Sequence, residues 1–161
     1  MPQVPDLGPR GEGWVVGQLV LLAAIGLGGF AALPTAGWSS ALRTAHAGLG
    51  SVAIAIGALV AIRGVVDLGA SLSPFPRPTG LNRLVEIGVY RYVRHPVYAG
   101  LVLSGIGWGL ITASAVAVGF SILLLLWLDL KSRREEAWLA TRHAGYAAYR
   151  SRTRKFLPYV Y

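Results

Sequence analysis

The chain has no cysteine, one methionine and only seven acidic residues among 161. The missing thiols exclude disulfide bonds, cysteine nucleophiles and thiolate metal sites. His46 and His143 have no partners at metal-ligand spacing, so no metal site is expected. Charge of either sign is also scarce: 14 % of residues are charged against 54 % hydrophobic, and mean hydropathy is positive. Soluble domains carry about 25 % charged residues, so the composition places this chain in a membrane.

The charges are missing in blocks. Residues 14–33 and 45–62 contain none, and at ~1.5 Å rise per residue each block can cross a hydrocarbon layer of roughly 30 Å. A signal peptide does not explain the first block, because no strongly basic segment precedes it and a second span follows. The third block, residues 97–128, lacks Asp, Glu, Lys and Arg. As one helix it would be about 48 Å long, too much for a single crossing, so a helical hairpin is expected. Its bend is expected within residues 107–115, where Gly107, Gly109, Thr112 and Ser114 weaken a helix.

Four spans follow, and the basic residues agree with them. With the N-terminus in the cytoplasm, every basic residue but Arg43 falls on the cytoplasmic side, as the positive-inside rule requires when both ends are cytoplasmic. The net charge of +8 then calls for no nucleic acid. The basic tail, interleaved with Tyr146, Tyr149, Phe156, Tyr159 and Tyr161, reads as an anchor on anionic lipid. The expected fold is all-α: a polytopic membrane bundle of about four transmembrane helices with a cytoplasmic C-terminal helix. Residues 1–13 form a loose N-terminus, residues 14–62 two generic spans, and residues 63–161 a ligand-binding unit of loop, helical hairpin, C-terminal helix and tail. Small residues Gly26, Gly29, Ala53, Gly57 and Ala61 suit close helix packing. Pro74, Pro76 and Pro78 forbid a regular helix in the loop between residues 65 and 88. Beyond Leu128 the last span continues as a helix, with Lys131–Glu135 and Arg133–Glu136 spaced for intrahelical ion pairs.

Polar chemistry concentrates in "GVYRYVRHPVYAG", residues 88–100, at the lip of the longest apolar block. A hairpin brings Arg94 and His95, before the outgoing helix, to the same membrane face as Asp129, Glu135 and Glu136, after the returning one. The expected pocket has an apolar floor from Val97, Leu101, Leu125 and Trp127. Polar groups in such a place are costly unless used or paired. Arg94 and His95 are suited to a carboxylate or a polarised oxygen, and Glu135 and Glu136 to an ammonium and a ribose diol. Gly100, Gly105, Gly107 and Gly109 allow close backbone approach. S-adenosylmethionine has this mixture of groups.

Gly88, Tyr90, Arg94, His95, Pro96, Tyr98 and Gly100, followed by Glu135 and Glu136, resemble the RHPxYxG...EE signature of integral-membrane methyltransferases. That group includes isoprenylcysteine carboxyl methyltransferase and phospholipid N-methyltransferases, and the resemblance covers roughly residues 63–158. It implies S-adenosylmethionine as the methyl donor. It further implies Arg94, His95, Tyr98 and Glu136 as catalytic residues, and donor contacts from these four together with Tyr90, Gly100, Gly105, Gly107 and Glu135. The acceptor is then a lipophilic molecule or lipidated protein arriving from the bilayer: an isoprenyl-type carboxylate by preference, a lipid amine as the alternative. Two other readings remain open: a nicotinamide-dependent membrane reductase of sterol-reductase type, and a non-catalytic scaffold acting through the basic tail.

Overall fold

The computed structural model describes residues 5–31, 38–77 and 83–160. Its helices are α1 (Glu12–Gly28), α2 (Ser40–Leu68), α3 (Pro96–Ile111), α4 (Ala115–Arg142) and the short α5 (Tyr146–Arg152), with 3-10 turns at Gly69–Ser71 and Gly88–Arg91. No strand occurs among the described residues. α2 packs along α3, α1 along α4, and α3 and α4 pack on each other.

The apolar block from residue 97 folds as the expected hairpin, but the break falls at residues 112–114 alone. Ala113 takes the left-handed conformation (φ 50), and the Ser114 hydroxyl caps α4 by accepting from the Ala117 amide at 3.2 Å. Gly107 and Gly109 stay inside α3 because a neighbouring backbone needs the space of a side chain. A Cβ on Gly107 would lie 2.7 Å from the Gly50 carbonyl, and one on Gly50 2.6 Å from the Gly107 carbonyl. One heptad along, a Cβ on Gly57 would lie 2.7 Å from the Gly100 carbonyl. Gly50, Gly57 and Gly64 are the only buried residues of α2, so this helix meets its partner through a strip of glycine and turns its larger side chains outward. Close backbone approach of this kind suits lipid, where dispersion contacts replace the hydrophobic effect as the force between helices.

Among the described residues two helices are long and apolar enough to cross a membrane, α2 with its 3-10 extension and α4. α1 has 17 residues and α3 has 16, which makes each about 25 Å long, short of the 20-residue first span read from the sequence. α1 stops at a Gly28–Gly29 pair, and residues 32–33 lie outside the described residues. α2 instead outruns its expected end at residue 62 and reaches Leu68, with Arg63 and Asp67 paired one turn apart at 3.0 Å in the added stretch. Val16, Leu19, Val20, Ile56, Leu59, Ile62, Leu123 and Leu126 are exposed, the outward apolar surface of a bundle set in hydrocarbon. The interior is a cluster of Ile25, Val102, Leu124 and Leu128. Trp127 seals the α1–α4 seam, its ring centroid 4.7 Å from that of Trp14 and its Nε1–H donating to the Trp14 carbonyl at 3.0 Å.

Residues 5–11, expected to be loose, bond to the bundle: the Trp14 indole donates to the Pro5 carbonyl at 3.1 Å and the Arg77 amide to the Arg10 carbonyl at 3.4 Å. Residues 72–77 contain no regular helix, as Pro74 and Pro76 require, while Pro78 lies outside the described residues. α4 is about 42 Å long from its 28 residues. Its residues 115–128 carry no charge, and the charged residues begin at Asp129.

Candidate active site

The hairpin carries the start of α3 and the polar half of α4 to one end of the bundle. Pro96 occupies the first turn of α3, where its missing N–H costs no hydrogen bond, and His95 precedes it. Arg94 Nε donates to Glu136 Oε1 at 2.8 Å, and His95 Nε2 lies 3.2 Å from the same oxygen. His95 Nδ1 is 3.8 Å from Glu135 Oε2, which accepts a 3.0 Å bond from the Tyr98 hydroxyl. The Tyr98 ring stacks on His95, centroids 5.3 Å apart and planes within 4°. Stations forty residues apart in sequence therefore share one hydrogen-bonded cluster.

Glu136 is its anchor, with a side chain only 7 % exposed. Burial alone would raise its pKa, but the hydrogen bonds and charges of His95 and Arg94 outweigh burial and hold it down to about 2. Arg94 also fastens the tail, its Nη1 donating to the Thr153 carbonyl at 2.6 Å and the Arg150 carbonyl at 3.2 Å. The backbone completes the joint. The amides of Arg94 and His95 donate to the carbonyls of Arg154 and Lys155 at 2.8 and 3.0 Å, and the Arg154 amide donates to Tyr92 at 3.0 Å. Residues 153–156 thus run as a strap beside residues 92–95.

This joint corrects the reading of the tail aromatics as a surface anchor. Tyr146, Tyr149 and Phe156 are buried in the protein, Tyr159 is exposed, and Tyr161 lies outside the described residues. The Tyr149 hydroxyl donates to the Tyr90 carbonyl at 2.9 Å. Burial, and after it the nearby charge of Glu136, raises the Tyr146 pKa, so that its hydroxyl keeps its proton.

A cavity of about 450 Å³ opens beside the cluster, lined by Tyr90, Arg94, His95, Val97, Tyr98 and Glu135 together with Gln18, Lys131, Leu139, Tyr146 and Tyr149. The Tyr146 hydroxyl is buried and has no hydrogen-bond partner among the described residues. On the other side of Arg94, Glu136 belongs to a second cavity of about 380 Å³ with Arg133, Arg150, Arg154 and Lys155.

Of the residues singled out in the sequence, Tyr90, Arg94, His95, Tyr98, Glu135 and Glu136 come together here. Gly100, Gly105 and Gly107 do not line the larger cavity: Gly100 and Gly107 abut α2, and Gly105 abuts Ser121 and Ile25. Of the expected apolar floor only Val97 lines it, while Leu101, Leu125 and Trp127 pack on the interior cluster. The expected ion pairs along α4 are replaced by others. Arg133 takes Asp129 at 2.7 Å, Glu136 takes Arg94, and Lys131 turns to Gln18 Oε1 at 2.6 Å. Gln18, Lys131 and Tyr146 are among the lining residues that the sequence did not mark as part of a site. No local motif marks Gln18 or Lys131, but a glutamine in an uncharged span was a signal, since a polar side chain in hydrocarbon needs a partner.

Among solved structures, the chain is similar to the eukaryotic intramembrane Ras methyltransferase, isoprenylcysteine carboxyl methyltransferase. The TM-score is 0.65 at 20 % sequence identity over 98 % of this chain and 55 % of that one. The likeness is one of fold, and this chain spans about half of that protein's length. No curated protein matches the sequence. The profile of the family described as phospholipid methyltransferase matches residues 45–144, a stretch that includes most of α2, all of α3 and α4 and the cluster of Arg94, His95, Tyr98, Glu135 and Glu136, and the chain belongs to that family.

Proposed function

We propose that the chain is an integral-membrane methyltransferase, moving a methyl group from S-adenosylmethionine to a lipophilic acceptor. The observation that carries this reading is the convergence of Arg94, His95, Tyr98, Glu135 and Glu136 at and behind one wall of a cavity of about 450 Å³. That volume lies within the roughly 300–1,000 Å³ common for small-ligand sites. The donor's chemistry fits the residues present. Glu135 offers carboxylate oxygen to an ammonium or a ribose diol, Tyr90 and Leu139 offer flat or apolar surface, and the unpartnered Tyr146 hydroxyl offers a donor.

When bound, S-adenosylmethionine supplies a methyl group on a sulfonium sulphur that departs as a neutral thioether. The residues of the chain contribute position and a dry surround, worth up to ~7–11 kcal/mol in ideal cases. Arg94 ties the tail strap to the start of α3, Glu136 orients Arg94 and His95, and Tyr98 fixes Glu135 by its hydrogen bond. An isoprenyl-type carboxylate is the favoured acceptor. It arrives ionised and needs no base, and the second cavity, with four cationic side chains beside Arg94 and Glu136, suits an anion. A lipid amine is the alternative, with the base drawn from Glu135, Glu136 and His95, of which the Glu135 carboxylate at the cavity wall is placed to take the proton. We further propose four crossings with both termini cytoplasmic, and anionic lipid at the exposed basic residues of the tail.

The test is incubation of membranes enriched in the protein with methyl-labelled S-adenosylmethionine, followed by lipid extraction and alkali treatment. Alkali-labile label in the lipid supports an ester product, and alkali-stable label an amine. Lipid and protein label no higher than in membranes lacking the chain refutes the reading. Binding of NADPH without binding of S-adenosylhomocysteine would favour the reductase.

A further inference from the structure

Lys131 is buried in the protein, 1 % exposed, on the polar half of α4 and in the wall of the larger cavity. Its ammonium donates to Gln18 Oε1 at 2.6 Å and lies 5.1 Å from the Tyr98 ring centroid. Both contacts are neutral. The chain has seven acidic side chains, all among the described residues, and none of them bonds to Lys131. Asp6 meets Arg134, Asp67 meets Arg63, Glu86 meets Arg152, and Asp129 meets Arg133 and Lys155. Glu12 accepts the Arg10 amide, Glu135 accepts Tyr98, and Glu136 holds Arg94 and His95. Among the described residues no carboxylate lies within ion-pair distance of Lys131. Glu135, one turn along α4, acts on Lys131 through its charge but makes no ion pair with it, so a buried cation stands in the cavity wall without a bonded counter-ion, an unfavourable state.

We infer that Lys131, aimed by Gln18, is the residue that holds a carboxylate of the ligand bound in this cavity. The inference rests on the methyl-donor reading and deepens it. An ammonium has three donor hydrogens. Gln18 takes one, and the other two suit the two oxygens of a carboxylate. Arg94, the residue that sequence reasoning proposed for this task, has Nε and Nη1 committed to Glu136 and the tail carbonyls. Lys131 and Glu135 stand one helical turn apart and line the same cavity, presenting a positive and a negative group side by side. That pairing matches the carboxylate and ammonium of an α-amino acid, so the amino-acid end of the methyl donor is the source the geometry favours. A carboxylate acceptor is the other source of the same chemistry.

The experiment compares wild type, Lys131→Met and Lys131→Arg in detergent. It measures the binding of S-adenosylhomocysteine and of 5′-methylthioadenosine, which lacks the amino-acid end. Lys131→Met is expected to weaken S-adenosylhomocysteine by roughly tenfold to a hundredfold, the worth of a hydrogen bond to a charged group, and to leave 5′-methylthioadenosine unchanged, with Lys131→Arg recovering part of the loss. Unchanged binding of both nucleosides with a raised KM for an acid acceptor supports the carboxylate role and assigns it to the acceptor. Melting temperature without ligand gives an independent readout: removing a buried charge that has no bonded counter-ion raises it, whereas removing a merely structural Lys131–Gln18 bond lowers it. Wild-type protein that binds neither nucleoside sinks the methyl-donor reading and leaves the melting comparison to judge Lys131. A Lys131→Met protein that melts lower, binds both nucleosides as wild type does and keeps its acceptor KM overturns the proposal.

Discussion

Glu136→Gln changes almost no volume and removes one charge from the centre of the site. Its effect follows from the partners of the Glu136 carboxylate: Arg94 at 2.8 Å, His95 at 3.2 Å and Arg150 at 3.6 Å. The Arg94 side chain is 10 % exposed and the Glu136 side chain 7 %, so an amide leaves a buried guanidinium without its counter-ion. The carboxyl group has a reference pKa of 4.5, lowered to about 2 in the fold. At ~1.4 kcal/mol per unit that difference contributes about 3 kcal/mol to stability, comparable with the ~3–5 kcal/mol lost when one partner of a buried pair is removed. For a chain of this size, each kcal/mol moves the melting temperature by about 2–4 °C. The variant in detergent should therefore melt about 6–12 °C below wild type near neutral pH. Because the folded pKa is depressed, the contribution is fully present above pH 4.5 and is lost as pH falls towards 2. Thermal melts across that window should show wild-type and variant curves converging on acidification. A variant that melts within a degree or two of wild type at neutral pH, with parallel pH profiles, would refute the argument.

Other consequences are testable with the same protein. Tyr149→Phe removes the buried bond to the Tyr90 carbonyl and should cost about 1–2 kcal/mol, read as a fall in melting temperature. Gly57→Val forces a side chain against the Gly100 carbonyl and Ser104; it should lower thermal stability by at least ~2 kcal/mol, whereas Gly48→Val, at a position with open space, should change it little. Truncation after residue 152 removes the strap that bonds to Tyr92, Arg94 and His95, and should abolish S-adenosylhomocysteine binding in an equilibrium assay while α1–α4 remain helical by circular dichroism.

The parts of this structure legible in the sequence are those fixed by local pattern or by connectivity. Blocks free of charge mark the long helices, and an apolar run too long for one crossing forces the hairpin. That hairpin alone brings His95 to Glu136. The rest is set by contacts distant in sequence. Nothing local distinguishes Gly107, which packs on α2, from a glycine facing a ligand; the heptad of Gly50, Gly57 and Gly64 was the available signal that small residues serve packing here. Tyr146 and Tyr149 look like interfacial aromatics until the tail returns to cover residues 92–95. Lys131 has Glu135 one turn away and would pair with it on an isolated helix, but Tyr98 from α3 occupies Glu135 and Gln18 from α1 draws Lys131 aside.

The most direct measurement is equilibrium binding of S-adenosylhomocysteine to the purified protein in detergent, wild type beside His95→Ala. The arrangement of His95 between Glu135 and Glu136 at the cavity wall predicts saturable binding to wild type, weakened roughly tenfold or more in the variant, with both proteins eluting as folded species. No saturable binding to wild type, or equal binding to both, would contradict the claim that residues near 95 and 135 together hold the methyl donor.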